Sequence, residues 1–200
     1  MPDHGLDHPR PASHAAAKAA LRAEIRARLK GLSPAQRMTA SAAACALLRR
    51  QVLWQDARSI LFYAPLAGEV DVWPLLTEAL AAGKVAALPK FSAATGRYVV
   101  GRVDDLERDV EPGHMGIREP AAFCSEGSLK LDLILVPGVG FDWHCRRLGR
   151  GKGFYDQLLA AASGTTIGVA FDEQMVPEIP VEPHDVPLSC ILTPTRWVQR

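Results

Sequence analysis

An α/β fold in three layers, a mostly parallel sheet with helices on both faces, is predicted by three observations. Strand-like runs alternate with helical ones along the chain, the pattern of a sheet covered on both sides. The run Leu131 to Phe141, LDLILVPGVGF, is nearly continuous in apolar residues, as a central strand buried on both faces requires. The chain has 200 residues, 48% hydrophobic and 22% charged, which allows one sizeable core and leaves little room for a second. Its 23 basic and 22 acidic residues leave a net charge of +1, so the electrostatic footprint of a general nucleic-acid binder is missing and any bound anion must be held locally.

Residues 1 to 14 read as a flexible tail and 15 to 200 as a single domain. The tail lacks the apolar stretch of a signal peptide, and Asp3 and Asp7 argue against a transit peptide. Leu21, Ile25, Leu29 and Leu32 form one helical stripe over Lys18 to Leu32, with Lys18, Arg22 and Arg26 four apart beside it. Ser33-Pro34-Ala35-Gln36 is a capping box with proline at the first helical position, opening a second helix to about Arg50. SILFYAPL from Ser59 is strand-like, and a helix bounded by Pro74 and Gly83 follows. KVAALPKF and RYVVGRV supply two further strands. Residues 104 to 130 are polar and rich in helix breakers, either a working loop or a plain surface connection. After the central strand, GFYDQLLAAA reads as a helix, TTIGVAF as a strand and ILTPTRWV as the last strand, reached through a proline-rich passage.

No apolar run approaches the roughly 18 to 20 residues of a membrane span, since Asp132, Pro137 and two glycines interrupt the best candidate. The four cysteines, Cys45, Cys124, Cys145 and Cys190, are widely spaced with no CxxC pair, so a reducing cytoplasm and no zinc site are expected. His4, His8 and His14 fall in the tail and give no metal assignment.

The most informative segment is Arg146-Arg147-Leu148-Gly149-Arg150-Gly151-Lys152-Gly153-Phe154-Tyr155-Asp156, which follows the most buried strand and opens a helix. Alternating glycines permit positive φ and bring N–H groups close to a ligand, the helix N-terminus adds partial positive charge, and Arg147, Arg150 and Lys152 concentrate cations there. These are the requirements of a polyphosphate. The loop is no Walker A, because Gly153 stands where Ser or Thr must follow Lys152. Gly138 and Gly140 begin a dinucleotide fingerprint whose third glycine falls on Trp143.

The run RLGRGKGFYD, with the upstream ILVPGVGFD, resembles the signature of the 5-formyltetrahydrofolate cyclo-ligase family. Lys18-Ala19-Ala20-Leu21-Arg22 resembles the family's opening KxxLR helix, Gly68-Glu69-Val70-Asp71 its GEVD segment, Met115-Gly116-Ile117 with Glu119-Pro120 its MGIxEP segment, and Glu182-Pro183-His184-Asp185 its closing xxHD. The matches run in order along nearly the whole chain. One departure is Cys145, where the family usually has glycine; if that turn needs positive φ, the substitution costs about 1 kcal/mol of strain.

The resemblance implies an ATP-dependent ligase that closes 5-formyltetrahydrofolate to 5,10-methenyltetrahydrofolate with release of ADP and phosphate. The formyl oxygen is a poor leaving group until phosphorylated, after which the neighbouring nitrogen displaces phosphate; positioning and electrostatics carry such a reaction. Carried over residue by residue, Lys18, Arg22, Arg147, Leu148, Gly149, Arg150, Gly151, Lys152, Gly153, Phe154 and Tyr155 would hold ATP. Arg150 and Lys152 would face the transferring phosphate as catalytic groups. Leu66, Glu69 and Asp71, with Arg150, Gly151, Lys152, Gly153 and Phe154, would border the folate, and Asp156 and Asp185 would associate with Mg²⁺. Each has a plainer alternative: a solvated basic face for Lys18 and Arg22, helix-start acids for Glu69, Asp71 and Asp156, core packing for Phe154, and turn residues for Asp185 and His184. The substrate, with or without a polyglutamate tail, is expected to be the partner of a monomer with no nucleic acid and no membrane. Two other readings stay open: a folate- or nucleotide-binding protein without turnover, and an oxidoreductase using a nucleotide cofactor.

Overall fold

The computed structural model describes residues 14–122, 130–161, 163–182 and 185–200. Helix α1 (His14–Lys30) is followed by α2 (Pro34–Arg49) and the short α3 (Val52–Asp56). His14 is therefore the first helical residue; the rest of the expected tail, with Cys124 and His184, lies outside the described residues. The capping box is present, with Ser33 Oγ accepting from Gln36 N–H and the Gln36 side chain accepting from Ser33 N–H. Strand β1 (Ser59–Leu61), α4 (Trp73–Ala81), β2 (Val85–Ser92) and β3 (Arg97–Val103) follow. The long connection carries a small hairpin, β4 (Val110–Pro112) with β5 (Arg118–Pro120). Then come β6 (Leu133–Pro137), β7 (Gly140–Asp142), β8 (Arg147–Leu148), α5 (Phe154–Ala161), β9 (Thr165–Val169), β10 (Met175–Val176), β11 (Cys190–Leu192) and β12 (Trp197–Gln199).

The main sheet has seven strands in the order β12-β11-β9-β6-β1-β2-β3, parallel except at its two edges, where β12 and β3 run antiparallel. β6 sits at its centre, and its alternation explains the apolar run: Leu133 and Leu135 pack with the layer of α2, α3 and α4, while Ile134 and Val136 pack with Leu158 and Leu159 of α5. The three predicted layers are present. At about 25 cal/mol per Å² of apolar surface, a strand buried on both faces contributes the largest share of core stabilisation per residue.

Two expected strands divide. LDLILVPGVGF breaks at Pro137-Gly138, where proline ends the ladder, and resumes as β7 in a separate sheet ordered β10-β7-β8. ILTPTRWV is a hairpin, with β11 and β12 paired Ile191 to Val198 across a turn at Pro194. Gly138 and Gly140 have packing reasons to be glycine. A Cβ on Gly138 would lie 2.6 Å from the Phe141 ring, and one on Gly140 would overlap Ile25 of α1. Ile25, Val139, Leu148 and Val176 form the small core that fixes α1 against this second sheet.

Candidate functional site

The glycine loop is anchored at both ends before any ligand is considered. Upstream, β7 and β8 pair Gly140 with Leu148 and Phe141 with Arg147. Downstream, α5 begins at Phe154 and presents its N-terminal N–H groups. Gly151 and Gly153 have φ of 98° and 67°, values that glycine adopts without a Cβ penalty. Arg22 of α1 donates from Nε to Gly149 O at 2.8 Å, and Lys18, one turn earlier, donates to Glu182 at 2.6 Å and Asp185 at 2.7 Å. The basic row is thus a tether between α1 and two loops, while Arg26 of the same row stays exposed. Burial disfavours the Lys18 ammonium, but hydrogen bonds to Asp185 and Glu182 outweigh it and raise its pKa.

The loop walls a cleft of about 220 Å³ lined also by Tyr63, Leu66, Glu69, Tyr98 and Arg118. Its aromatic side is a contiguous group: Phe154 meets Tyr98 edge-on at 5.3 Å and Phe91 at 6.0 Å, and Phe91 stacks on His114 at 4.1 Å. Phe154 therefore serves both as the first residue of α5 and as part of the cleft wall. Tyr155 next to it is partly buried, with its pKa driven up by desolvation, and Tyr63, fully buried and also driven up, spends its hydroxyl on Val70 O at 2.8 Å. Both are neutral phenols at physiological pH.

Ion pairs set the cations. Arg150 donates to Glu69 at 2.7 Å, and the other Glu69 oxygen accepts Leu66 N–H at 2.9 Å, tying the glycine loop to the segment after β1. Arg147, with its side chain only 5% exposed, donates to Asp156 at 2.5 Å, while its buried Nε has no partner among the described residues. Lys152 lies exposed, its ammonium 5.8 Å from the Phe154 ring.

Glu69, Leu66, Arg147, Gly149, Arg150, Lys152, Gly153, Phe154, Tyr155 and Asp156 share the cleft lining. Asp71 does not join them. It is exposed and accepts Trp73 N–H at 2.9 Å, the behaviour of a helix-start acid. Asp185 lines a neighbouring cavity of about 580 Å³ with Glu182, Trp143 and Arg146; Arg147 lines both cavities. Asp156 and Asp185 thus face different spaces. Sequence reasoning left out Tyr63, Pro89, Tyr98, Ile117, Arg118 and Pro137. Ile117 stood within the quoted MGIxEP segment, and Tyr63 directly after a strand end; Tyr98 and Pro89 carried no signal, since only the β2–β3 hairpin turns them to the cleft.

Cys145 has φ of 58° and is fully buried, so the turn does require a positive φ, as the departure from glycine implied. The geometry as a whole suits two anionic or aromatic ligands held side by side, with loop N–H groups and Arg150 and Lys152 between them. Among the described residues no three or more His, Cys, Asp or Glu side chains converge. The donors available to a cation are carboxylate oxygens, hard ligands that fit Mg²⁺ carried by a polyphosphate.

Comparison with known proteins supplies the remaining findings. The family described as 5-formyltetrahydrofolate cyclo-ligase matches residues 14–194. A 5-formyltetrahydrofolate cyclo-ligase of Mus musculus is 32% identical over 196 residues, covering 88% of this chain and 93% of that one. One of Mycolicibacterium smegmatis is 36% identical over 156 residues, covering 72% and 77%. The NMR structure of Aquifex aeolicus 5,10-methenyltetrahydrofolate synthetase superposes with a TM-score of 0.82 at 31% identity, over 91% of this chain and 92% of that one.

Proposed function

The chain belongs to the 5-formyltetrahydrofolate cyclo-ligase family and converts 5-formyltetrahydrofolate to 5,10-methenyltetrahydrofolate at the expense of ATP; we propose that it does so in the aromatic cleft walled by the glycine loop. One observation carries this reading: the glycine loop, rich in phosphate-binding features and ending in Phe154, forms one wall of the same cleft as Tyr63 and Tyr98. A flat heterocycle packed on those rings lies beside the loop, where a γ-phosphate held by N–H groups meets its formyl oxygen.

Each residue's task follows from its position. Gly149, Gly151 and Gly153 let the backbone approach the phosphates, with α5's N-terminus adding its partial charge. Lys152 is exposed to receive charge on the transferring phosphoryl group, and Arg150 reaches the same group by exchanging Glu69 for phosphate. Such exchange is possible because the Arg150 side chain is half exposed, while Glu69, only 8% exposed, keeps the Leu66 N–H when Arg150 turns to phosphate. Lys18 and Arg22, bound to the two flanking loops, hold the wall along which ATP lies. Leu66 and Glu69 border the pterin. Asp156 fits Mg²⁺ on the cleft side and Asp185 on the side of the second cavity; bound with ATP, the ion neutralises phosphate charge. The substrate is taken with or without additional glutamates, by a monomer, in the cytoplasm. Cys45, Cys145 and Cys190 are buried free thiols, in keeping with a reducing compartment.

The test combines purified protein, 5-formyltetrahydrofolate, Mg²⁺ and ATP and follows methenyl absorbance. Product is expected only when nucleotide and divalent metal are both present. Equal yield without ATP would overturn the ligase reading.

A further inference from the structure

The phosphate chemistry leaves one cation of the cleft unused, and we propose that this residue, Arg118, recognises the anionic glutamate tail of the folate substrate and sets specificity for it. The inference rests on the folate reading of the cleft. Arg118 opens β5, where the ladder to β4 pairs it with Pro112 and holds its backbone. Its side chain is exposed yet lines the cleft, on a segment separate from the glycine loop. The guanidinium carbon lies 4.5 Å from the centroid of the Trp73 ring, a cation–π contact that orients the plane and leaves its N–H edge available to acceptors. Arg147 and Arg150, the other guanidinium groups of the lining, are held by Asp156 and Glu69. Among the described residues no carboxylate pairs with Arg118.

The substrate's chemistry supplies the complement. The pterin and benzoyl rings of 5-formyltetrahydrofolate carry no fixed charge and suit the aromatic wall, whereas its negative charges are the carboxylates of the glutamate. Those carboxylates cannot follow the rings against Phe154 and Tyr98 without losing their hydration, so they stay at the rim. A planar guanidinium stacked on an indole at that rim offers the fork that matches a carboxylate in two parallel hydrogen bonds. Further glutamates would extend the anionic chain past the same group.

The experiment is an equilibrium titration, read by intrinsic tryptophan fluorescence, of the wild type, Arg118→Ala and Arg118→Lys. The ligands are 5-formyltetrahydrofolate and the N-methylamide of 5-formyltetrahydropteroate, in which a neutral amide replaces the glutamate and its carboxylates. The wild type is expected to bind the glutamyl form about tenfold more tightly, an advantage that shrinks to about twofold or less in Arg118→Ala and falls between in Arg118→Lys, which keeps the charge but not the fork. Added salt should erode the wild-type advantage. Absence of that advantage, its persistence in Arg118→Ala, or an equal loss of affinity for both ligands would overturn the proposal, the last pointing to packing against Trp73. Binding is read separately from turnover. If the wild type makes no methenyl product while the advantage still collapses in Arg118→Ala, the ligase reading fails and the tail contact stands; the reverse pattern removes the tail contact alone.

Discussion

Two adjacent turns, Asp142 to Arg146 and Gly149 to Gly153, are built from similar ingredients and end in opposite conditions. Both contain positive φ and both lie next to arginines. In the first, the Asp142 carboxylate is fully buried and saturated: Oδ1 accepts His144 N–H at 2.9 Å and Arg146 N–H at 3.0 Å, and Oδ2 accepts Ile179 N–H at 2.9 Å. Cys145 takes the left-handed conformation there because its amide bonds Asp142 O, its carbonyl accepts Leu188 N–H, and its side chain is enclosed. In the second turn, glycines provide the positive φ, Gly153 has no atom near its would-be Cβ, and the charges are exposed or exchangeable pairs. Saturation marks the turn that holds structure; open space and replaceable partners suit the other to the ligand contact proposed for it.

The comparison breaks first at Asp142. Asp142→Ala strands the buried Ile179 N–H and releases the half-buried turn amides of His144 and Arg146, and should cost about 3 kcal/mol, lowering the melting temperature sharply, while activity per folded molecule stays close to wild type. A stable variant with collapsed turnover would place the two turns in one class. Next is Lys152→Ala, which should leave thermal melting unchanged and lower turnover by roughly 10²-fold, equivalent to about 2.7 kcal/mol of barrier. Unchanged kinetics would return Lys152 to solvated surface.

Asp156→Asn sharpens the comparison inside the loop. As a structural acid alone, Asp156 would lose about 1 to 3 kcal/mol of stability on becoming Asn, because Arg147, its side chain only 5% exposed, loses its charged partner, with catalysis per folded molecule untouched. The metal reading instead expects a higher Mg²⁺ concentration for half-maximal rate at saturating ATP. Magnesium titrations beside ligand-free melts distinguish them. The smallest effect is expected at Cys145→Gly, where relief of about 1 kcal/mol of left-handed strain offsets a similar loss of buried side-chain packing, so the melting temperature should barely move. A clear gain in stability would mean that the buried thiol contributes little packing.

The residue pattern by itself determined the layers, the buried central strand and the α2 capping box, because these follow from local periodicity and from hydrogen bonds closed within four residues. It also marked the glycine loop, whose unusual composition serves a local backbone geometry. Tertiary structure decided what depended on distant partners. Glu69 and Asp71 look alike two residues apart, yet Glu69 reaches Arg150 across 81 positions while Asp71 turns back to its own helix start. Asp156 and Asp185 share a carboxylate chemistry but face separate cavities. Arg118 comes to Trp73 only when the small hairpin folds onto the main sheet. Periodicity reports which face of an element is buried; the partner a charged side chain finds there is set by how elements far apart in the chain are stacked, which no local pattern encodes.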